Sequence, residues 1–461
     1  MRKINFLILL FLLTTQCAVA ENDSIFVISK INLSGNKITR DNIVFRELTF
    51  KIGDTITLSS YEKLKTKSSE NLMNISVFNF VTITETIDNK NITVTIQLTE
   101  RWYIWPIPVF DLADRNFNTW WKTKDFNRVN YGVDLAIFNF RGRNETLDLL
   151  LSLGFDEKYG FIYKIPYINK KQTLGLIISG NYIQSHEIAL KDSNNKVVFY
   201  KNNESYPKKT INSSIGITYR RNIHNIHTFQ FGFEKYIFND ILMQLNPEYS
   251  IDNLNETKYF TLYYQFKNDF RDYKPYPLKG HYFDMDFNKF GLGLFSDEVA
   301  DFISFKTNYR KYFQISPKFY FASGITAMVN SKFPYFVQNG LGYIRDYARG
   351  YEHYVISGQG FGLIKNNLKY AILPQRVSKI HVIKTEKFNT IPYAFYVNLY
   401  ADAAYVYNEK NNNYNSLINK LLLGFGAGID FVTYYDKVLR VEYSINRMGE
   451  NGLFIHFMTS I

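Results

Sequence analysis

Residues 227–236 read HTFQFGFEKY. In an extended strand successive side chains point to opposite faces. Phe229, Phe231 and Phe233 therefore share one face, and Thr228, Gln230, Gly232 and Glu234 the other. The same period of two returns in YFDMDFN (282–288), where Phe283, Met285 and Phe287 oppose Tyr282, Asp284, Asp286 and Asn288. It runs on through GLFIHFMTSI (452–461), with Leu453, Ile455 and Phe457 on one side. A soluble sandwich buries such apolar faces, whereas a membrane barrel turns them to lipid and keeps the polar face towards a wet lumen. Pattern alone does not separate the two.

Loop lengths do. About sixteen strands follow Arg101, an even number of the kind found in outer-membrane barrels. Their connections alternate: long at 181–209, short at 222–225, long at 239–257, very short at 316–317 and long at 330–358. Long loops on one side and short turns on the other indicate a barrel, with the long loops around Asn194 and Asn412 expected outside. The run 374–390 breaks the rule, because it falls on the short-turn side and is too long.

Residues 25–100 have a different texture. IFVISKINLSGN (25–36) is an apolar run closing on Gly35-Asn36. TRDNIVFREL (39–48) predicts a helix with Thr39 as N-cap and Ile43, Val44 and Leu48 on one stripe. LSSYEKLKTKSSENLMN (58–74) predicts a second helix, and 77–100 a hairpin about Asp88-Asn89. The expected order is strand, helix, helix, strand, strand.

Residues 1–20 read as a secretory signal, with Arg2 and Lys3, an apolar run and an Ala18-Val19-Ala20 exit. Its removal takes the single cysteine, Cys17, and lowers the formal charge from +12 to +10. Behind such a signal the basic surplus does not indicate nucleic acid, and a general Lys/Asn bias accounts for it. No segment beyond residue 20 approaches the roughly 20 apolar residues of a membrane helix.

Motifs for chemistry are thin. His224 and His227 lack acidic or cysteine companions, so no metal site is expected. The run GQGFG (358–362) leads into a strand, not a helix, so a phosphate cradle is not expected. No G-x-S-x-G elbow occurs. Neither an enzyme nor a cofactor is expected.

Gly35-Asn36, Arg46-Glu47-Leu48, Gly53-Asp54 and Phe78 to Val81 resemble a POTRA domain. Five further motifs, in family order, resemble the barrel of the BamA/TamA superfamily (the bacterial surface antigen family). They are Asp269-x-Arg271, Pro277 with Gly280, Arg349-Gly350-Tyr351, Tyr400-x-Asp402 and Gly426-x-Gly428. The resemblance implies a mainly β chain: one small α+β POTRA domain at 21–100, then a 16-stranded antiparallel transmembrane β-barrel at 101–461. It also implies that Arg349, in the sixth surface loop, folds into the lumen and meets Asp402 beside Gly426 and Gly428. At 4 Å and an effective dielectric near 20 that attraction is about 4 kcal/mol before desolvation reduces it, so the pair is expected to fix loop register more than to stabilise.

Three features depart from the best-known members: a single POTRA domain, Pro106 and Pro108 in the first barrel strand, and a terminal aromatic displaced to Phe457. The leading function is outer-membrane assembly, with the POTRA domain in the periplasm capturing unfolded outer-membrane or surface client proteins for insertion or translocation. Periplasmic chaperones, accessory lipoproteins and membrane lipids are the expected partners. A dedicated secretion pore and a passive channel are the competing readings.

Overall fold

The computed structural model describes residues 24–112, 129–343, 346–409, 415–433 and 435–458. The expected signal segment, the loop around Asn412 and the last three residues lie outside these. Two sheets carry the fold. In the N-terminal domain, Ile25–Ser34 lies between Thr55–Thr57 (antiparallel) and Asn91–Glu100 (parallel), and Phe78–Asp88 forms the far edge. Alternation in Asn91–Glu100 buries Ile92, Val94, Ile96 and Leu98 on one face, where Val44, Tyr61 and Leu72 from two helices close the core.

The longer helix, Leu58–Asn74, opens on a reciprocal cap between Thr57 and Ser60. The shorter one, Asp41–Glu47, follows Arg40, which makes no side-chain cap. Thr39, expected to cap it, instead gives its backbone N–H (2.6 Å) and hydroxyl (2.7 Å) to the Glu100 carboxylate. A charged acceptor makes the stronger hydrogen bond, and it draws Thr39 out of the capping position. The three-residue strand Thr55–Thr57 was too short to carry a periodic signal.

The second sheet has sixteen strands, each antiparallel to its chain neighbours, from Ile104–Leu112 to Asn451–Met458. Residues 227–236 lie in the seventh, Asn225–Phe238, where Phe229 and Phe231 are exposed. So are Ile217, Leu262, Ile325, Leu399 and Phe425 on other strands, while Asn367, Asn398, Asp402, Asp430, Arg440 and Glu442 are buried on the inside. Apolar outside and charged inside is the pattern of a barrel in lipid, not of a sandwich.

Run 374–390 is not a loop. The strands Gly360–Lys379 and Thr390–Tyr407 continue past the wall as a hairpin to the pair Lys379↔Thr390, with a one-turn helix at its end. Register shifts at 371/373 and 373/376 leave Pro374 outside the ladder, where its missing N–H costs nothing.

The N-terminal domain packs against the barrel rim formed by the short turns. Glu47 takes both terminal nitrogens of Arg220 at 2.7 Å, and Asn74 donates to the carbonyls of Arg271 (3.2 Å) and Asp272 (3.0 Å). Asn139 donates to Thr39 at 2.8 Å, and Asn79 donates to the Lys387 carbonyl at 3.0 Å. Arg101, between the two sheets, holds Asp436 at 2.6 and 3.0 Å. Burial raises the Asp436 pKa, but the hydrogen bonds from Arg101 outweigh it, and the net shift is downward.

A depressed carboxylate pKa contributes stability above the unfolded value, about 3.9, that is lost as pH falls through the folded value. Docking of the domain should therefore hold at neutral pH and loosen below about pH 4. Asp436→Asn should weaken it at pH 7 by about 2 kcal/mol. Protease sensitivity of the Arg101 junction across pH checks both; a pH-independent junction would refute the assignment.

Candidate functional site

Thr390–Tyr407 turns Asn398, Tyr400, Asp402 and Ala404 inward. The loop between Phe319–Asn330 and Gly360–Lys379 enters the barrel and presents Arg349 to that row. Arg349 is 2% exposed; its Nε and Nη2 donate to Asp402 at 2.9 and 2.6 Å, and its backbone N–H donates to the same carboxylate at 3.0 Å. Nη1 reaches Glu442 at 3.3 Å, Nη2 also donates to the Asn366 carbonyl, and the guanidinium lies 3.8 Å from the Tyr400 ring centre. The guanidinium is thus desolvated and fully paired.

Gly350 adopts φ +88°, a conformation costly for other residues, and its carbonyl accepts from Asn446 at 2.9 Å. Tyr351 is buried and donates to the Leu423 carbonyl. The wall under the loop is glycine for a steric reason. A Cβ on Gly424 would sit 1.8 Å from the Arg349 carbonyl oxygen. Gly426 makes room for Tyr400 instead, and Gly428 for Glu442 and Asn398. The smooth surface expected at Gly426 and Gly428 is therefore displaced by one alternation: the loop itself rests on Gly424. The run Gly424-x-Gly426-x-Gly428 carried that signal.

A second buried group adjoins the first. Arg440 Nε donates to Asp430 at 2.7 Å and lies 3.8 Å from Glu442. Tyr276 donates to Asp430 at 2.7 Å from the turn between Glu256–Asp269 and Gly280–Phe290. In that turn Arg271 grips Asp269 twice at 2.8 Å, Pro277 is buried, and a Cβ on Gly280 would meet the Phe270 carbonyl at 2.0 Å. The turn therefore folds up beneath the lumen, and its Tyr273 donates to Asp436 at 2.5 Å. Arg349, Glu442, Arg440, Asp430 and Tyr276 form one polar chain from the inserted loop, and Arg101, Asp436 and Tyr273 a second from the N-terminal domain; both end in this turn. Sequence reading missed Glu442, Arg440, Asp430 and Tyr276. Alternating charges in LRVEY (439–443) marked an inward-facing strand.

His224 and His227 stay apart in use: His224 pairs with the Asp269 carbonyl and His227 with Tyr264.

The sheet has two ends. Among the described residues no ladder joins Ile104–Leu112 to Asn451–Met458. Tyr103 accepts from the Phe138 N–H, so odd-numbered residues of the first strand bond to the second and even-numbered ones face the open edge. Pro106 and Pro108 lie within the paired strand, and both direct their missing donors at that edge. Across from it, Phe457 is 85% exposed.

Replacing Arg349 by Ala leaves Asp402 and Glu442 without their cation, a loss of about 3–5 kcal/mol. Asp402→Ala should cost a similar amount, and the double variant less than the sum. Thermal unfolding of the barrel, followed by its gel mobility with and without heating, checks the cycle; additive losses would refute the pairing. Gly424→Ala should unseat the loop with both charges intact.

Two family models match the chain: "POTRA: Surface antigen variable number repeat" at residues 26–101, and the "Omp85 superfamily domain" at residues 139–434. No curated protein matches it by sequence. Among solved structures, BamA from Haemophilus ducreyi lacking POTRA domains 1–3 is 13% identical, with TM-score 0.53. The match covers 94% of this chain and 84% of that one. CdiB from Escherichia coli is 10% identical, with TM-score 0.50, over 96% of this chain and 92% of that one. At such identities the two structures speak for the fold, and the family models for the lineage. With its one POTRA domain, the chain belongs to the Omp85 superfamily, β-barrel proteins of the outer membrane with a role in protein insertion or secretion.

Proposed function

We propose that this protein assembles clients at its seam: the POTRA domain, lying in the periplasm, captures unfolded outer-membrane or surface proteins, and the open edges of the barrel receive their strands. One observation carries this reading: among the described residues no ladder joins the two end strands of the sixteen-stranded sheet, and Pro106 and Pro108 face that edge. An edge lacking two donors binds its partner strand less tightly, by about 0.5–1.5 kcal/mol per missing bond, so a client strand competes for it on better terms.

The POTRA sheet offers a docking edge of its own. Phe78–Asp88 is terminal in that sheet, and its outer part, Thr84–Asp88, is largely exposed. An extended client segment adds there by main-chain hydrogen bonds. Periplasmic chaperones and accessory lipoproteins would deliver clients to this edge, and lipid would surround the wall. No catalytic step is part of this function, and the residues named act by holding and releasing strands.

Two experiments test the reading. Cysteine pairs placed between residues 104–110 and 451–457, in a chain freed of its signal segment and so of Cys17, should form a disulfide that closes the seam. Oxidised protein should stay folded and lose client assembly, with reductant restoring it; full activity with the seam locked would refute the gate. Depletion should remove many barrel proteins from the outer membrane. Loss of a single surface protein would instead identify a dedicated secretion pore, and no loss would leave a passive channel. A tag at Glu204, in a long loop, should label on intact cells, and a tag at Lys90 should not.

A further inference from the structure

The hairpin that carries residues 374–390 past the wall does not run straight on into water. Ile380 donates its N–H to the Asn389 carbonyl at 2.6 Å, and Ile383 donates to the Ile380 carbonyl at 3.3 Å, so the tip closes on itself. In that closed tip Phe388 stacks on Tyr435, ring centres 5.8 Å apart, and meets Trp102 at 6.0 Å. Tyr435 stands in the turn before Val438–Asn446, and Trp102 leads into the first barrel strand, Ile104–Leu112. The tip therefore lies along the barrel rim, reaching from the twelfth and thirteenth strands towards the first.

That rim marks where acyl chains give way to head groups. On the two carrying strands Ile372 and Phe395, beside the bulges, are still exposed on the apolar outside. Trp102 is exposed, two residues before the exposed Ile104, and aromatic residues of this kind mark the edge of the hydrocarbon layer.

The tip is basic. From 374 to 390 the sequence holds Arg376, Lys379, Lys384 and Lys387 against one acidic residue, Glu386. Lys387 is in use: its ammonium lies 5.8 Å from the Trp102 ring centre and 5.6 Å from that of Tyr103, and its carbonyl accepts from Asn79. Among the described residues the side chains of Arg376, Lys379 and Lys384 make no hydrogen bond or ion pair. Interleaved with them are three exposed apolar residues, Val377, Val382 and Ile383, of which Val382 is 91% exposed.

A free anion such as phosphate would meet the charges and leave the apolar side chains in water. A purely apolar partner would strand the charges. Phosphate head groups above acyl chains answer both at once, and basic residues mixed with apolar ones are the composition that binds such a surface. We propose that the tip, residues 376–384, rests in the head-group layer of the leaflet on the POTRA side and binds its anionic phospholipids. The wall strands that carry the tip already stand in that leaflet, so the lipid is at hand. Neither the seam nor a client enters this argument.

The test uses the barrel in lipid nanodiscs, in a chain freed of its signal segment and so of Cys17, with a bimane label on Val382→Cys. Doxyl groups placed near the head of the acyl chain should quench the label by about twofold or more in phosphatidylglycerol-rich discs, and less in phosphatidylcholine alone. Arg376→Gln, Lys379→Gln and Lys384→Gln together should abolish the difference between the two lipids, as should high salt, which screens exposed charge. Heat-dependent gel mobility should stay unchanged, showing a folded barrel. A label on Lys90→Cys, at the turn of the POTRA hairpin, should remain unquenched in both lipids. Equal quenching in the two lipids, quenching that keeps its lipid dependence in the triple variant, or none in either would overturn the proposal. A label silent to lipid that responds only to an added unfolded acidic peptide would assign the tip to a protein partner and overturn it too.

Discussion

In hydrocarbon there is no water to satisfy a backbone N–H or C=O, and each one left unpaired costs several kcal/mol. Everything else in this protein follows from that constraint. It requires strands that bond to their neighbours on both sides, and it makes the two end strands the places where the rule is relaxed. Proline eases the relaxation. Pro106 and Pro108 have no N–H to leave unsatisfied when the seam is open, and none to contribute when it is closed. The same two residues lower the cost of opening and reduce the gain from closing.

The lumen solves the opposite problem. Its buried charges need partners, and Arg349, Asp402, Glu442, Arg440 and Asp430 form a connected set, while the buried Lys369 ammonium lies over the Tyr276 ring. Tyr276 joins this set to the turn that carries Tyr273, and Tyr273 joins it to Asp436 and Arg101. The inserted loop and the POTRA domain therefore both reach one turn, through Tyr276 and Tyr273, although they lie on opposite sides of the barrel.

The barrel was legible in the sequence because lipid outside and water inside impose a strict period of two; HTFQFGFEKY (227–236) shows it without help. The hairpin at 374–390 was not, because bulges at Ala371 and Leu373 destroy the alternation there. The contact between Arg349 and Asp402 followed from motif resemblance alone: 53 residues separate them and no local pattern links them. Glu442 and Arg440 gave only the weak signal of charges at alternate positions. Nothing in the sequence distinguishes Gly424 from its two neighbours in the same run, since glycine spacing shows that something approaches closely but not which atom. Thr39 misled because a cap is a local prediction, and Glu100, 61 residues away, offered a stronger acceptor.

These polar contacts also order events in time. Arg349 finds Asp402 and Glu442 at separations of 53 and 93 residues, all within the last third of the chain. Arg101 meets Asp436 across 335 residues. Short loops close sooner than long ones, so the C-terminal strands and their inserted loop can set as a unit while the N-terminal strands are still pairing. The junction at Arg101 can form only once residue 436 has been made and positioned. The POTRA domain thus takes its full seat only when the turn at Asp436, near the end of the chain, is in place.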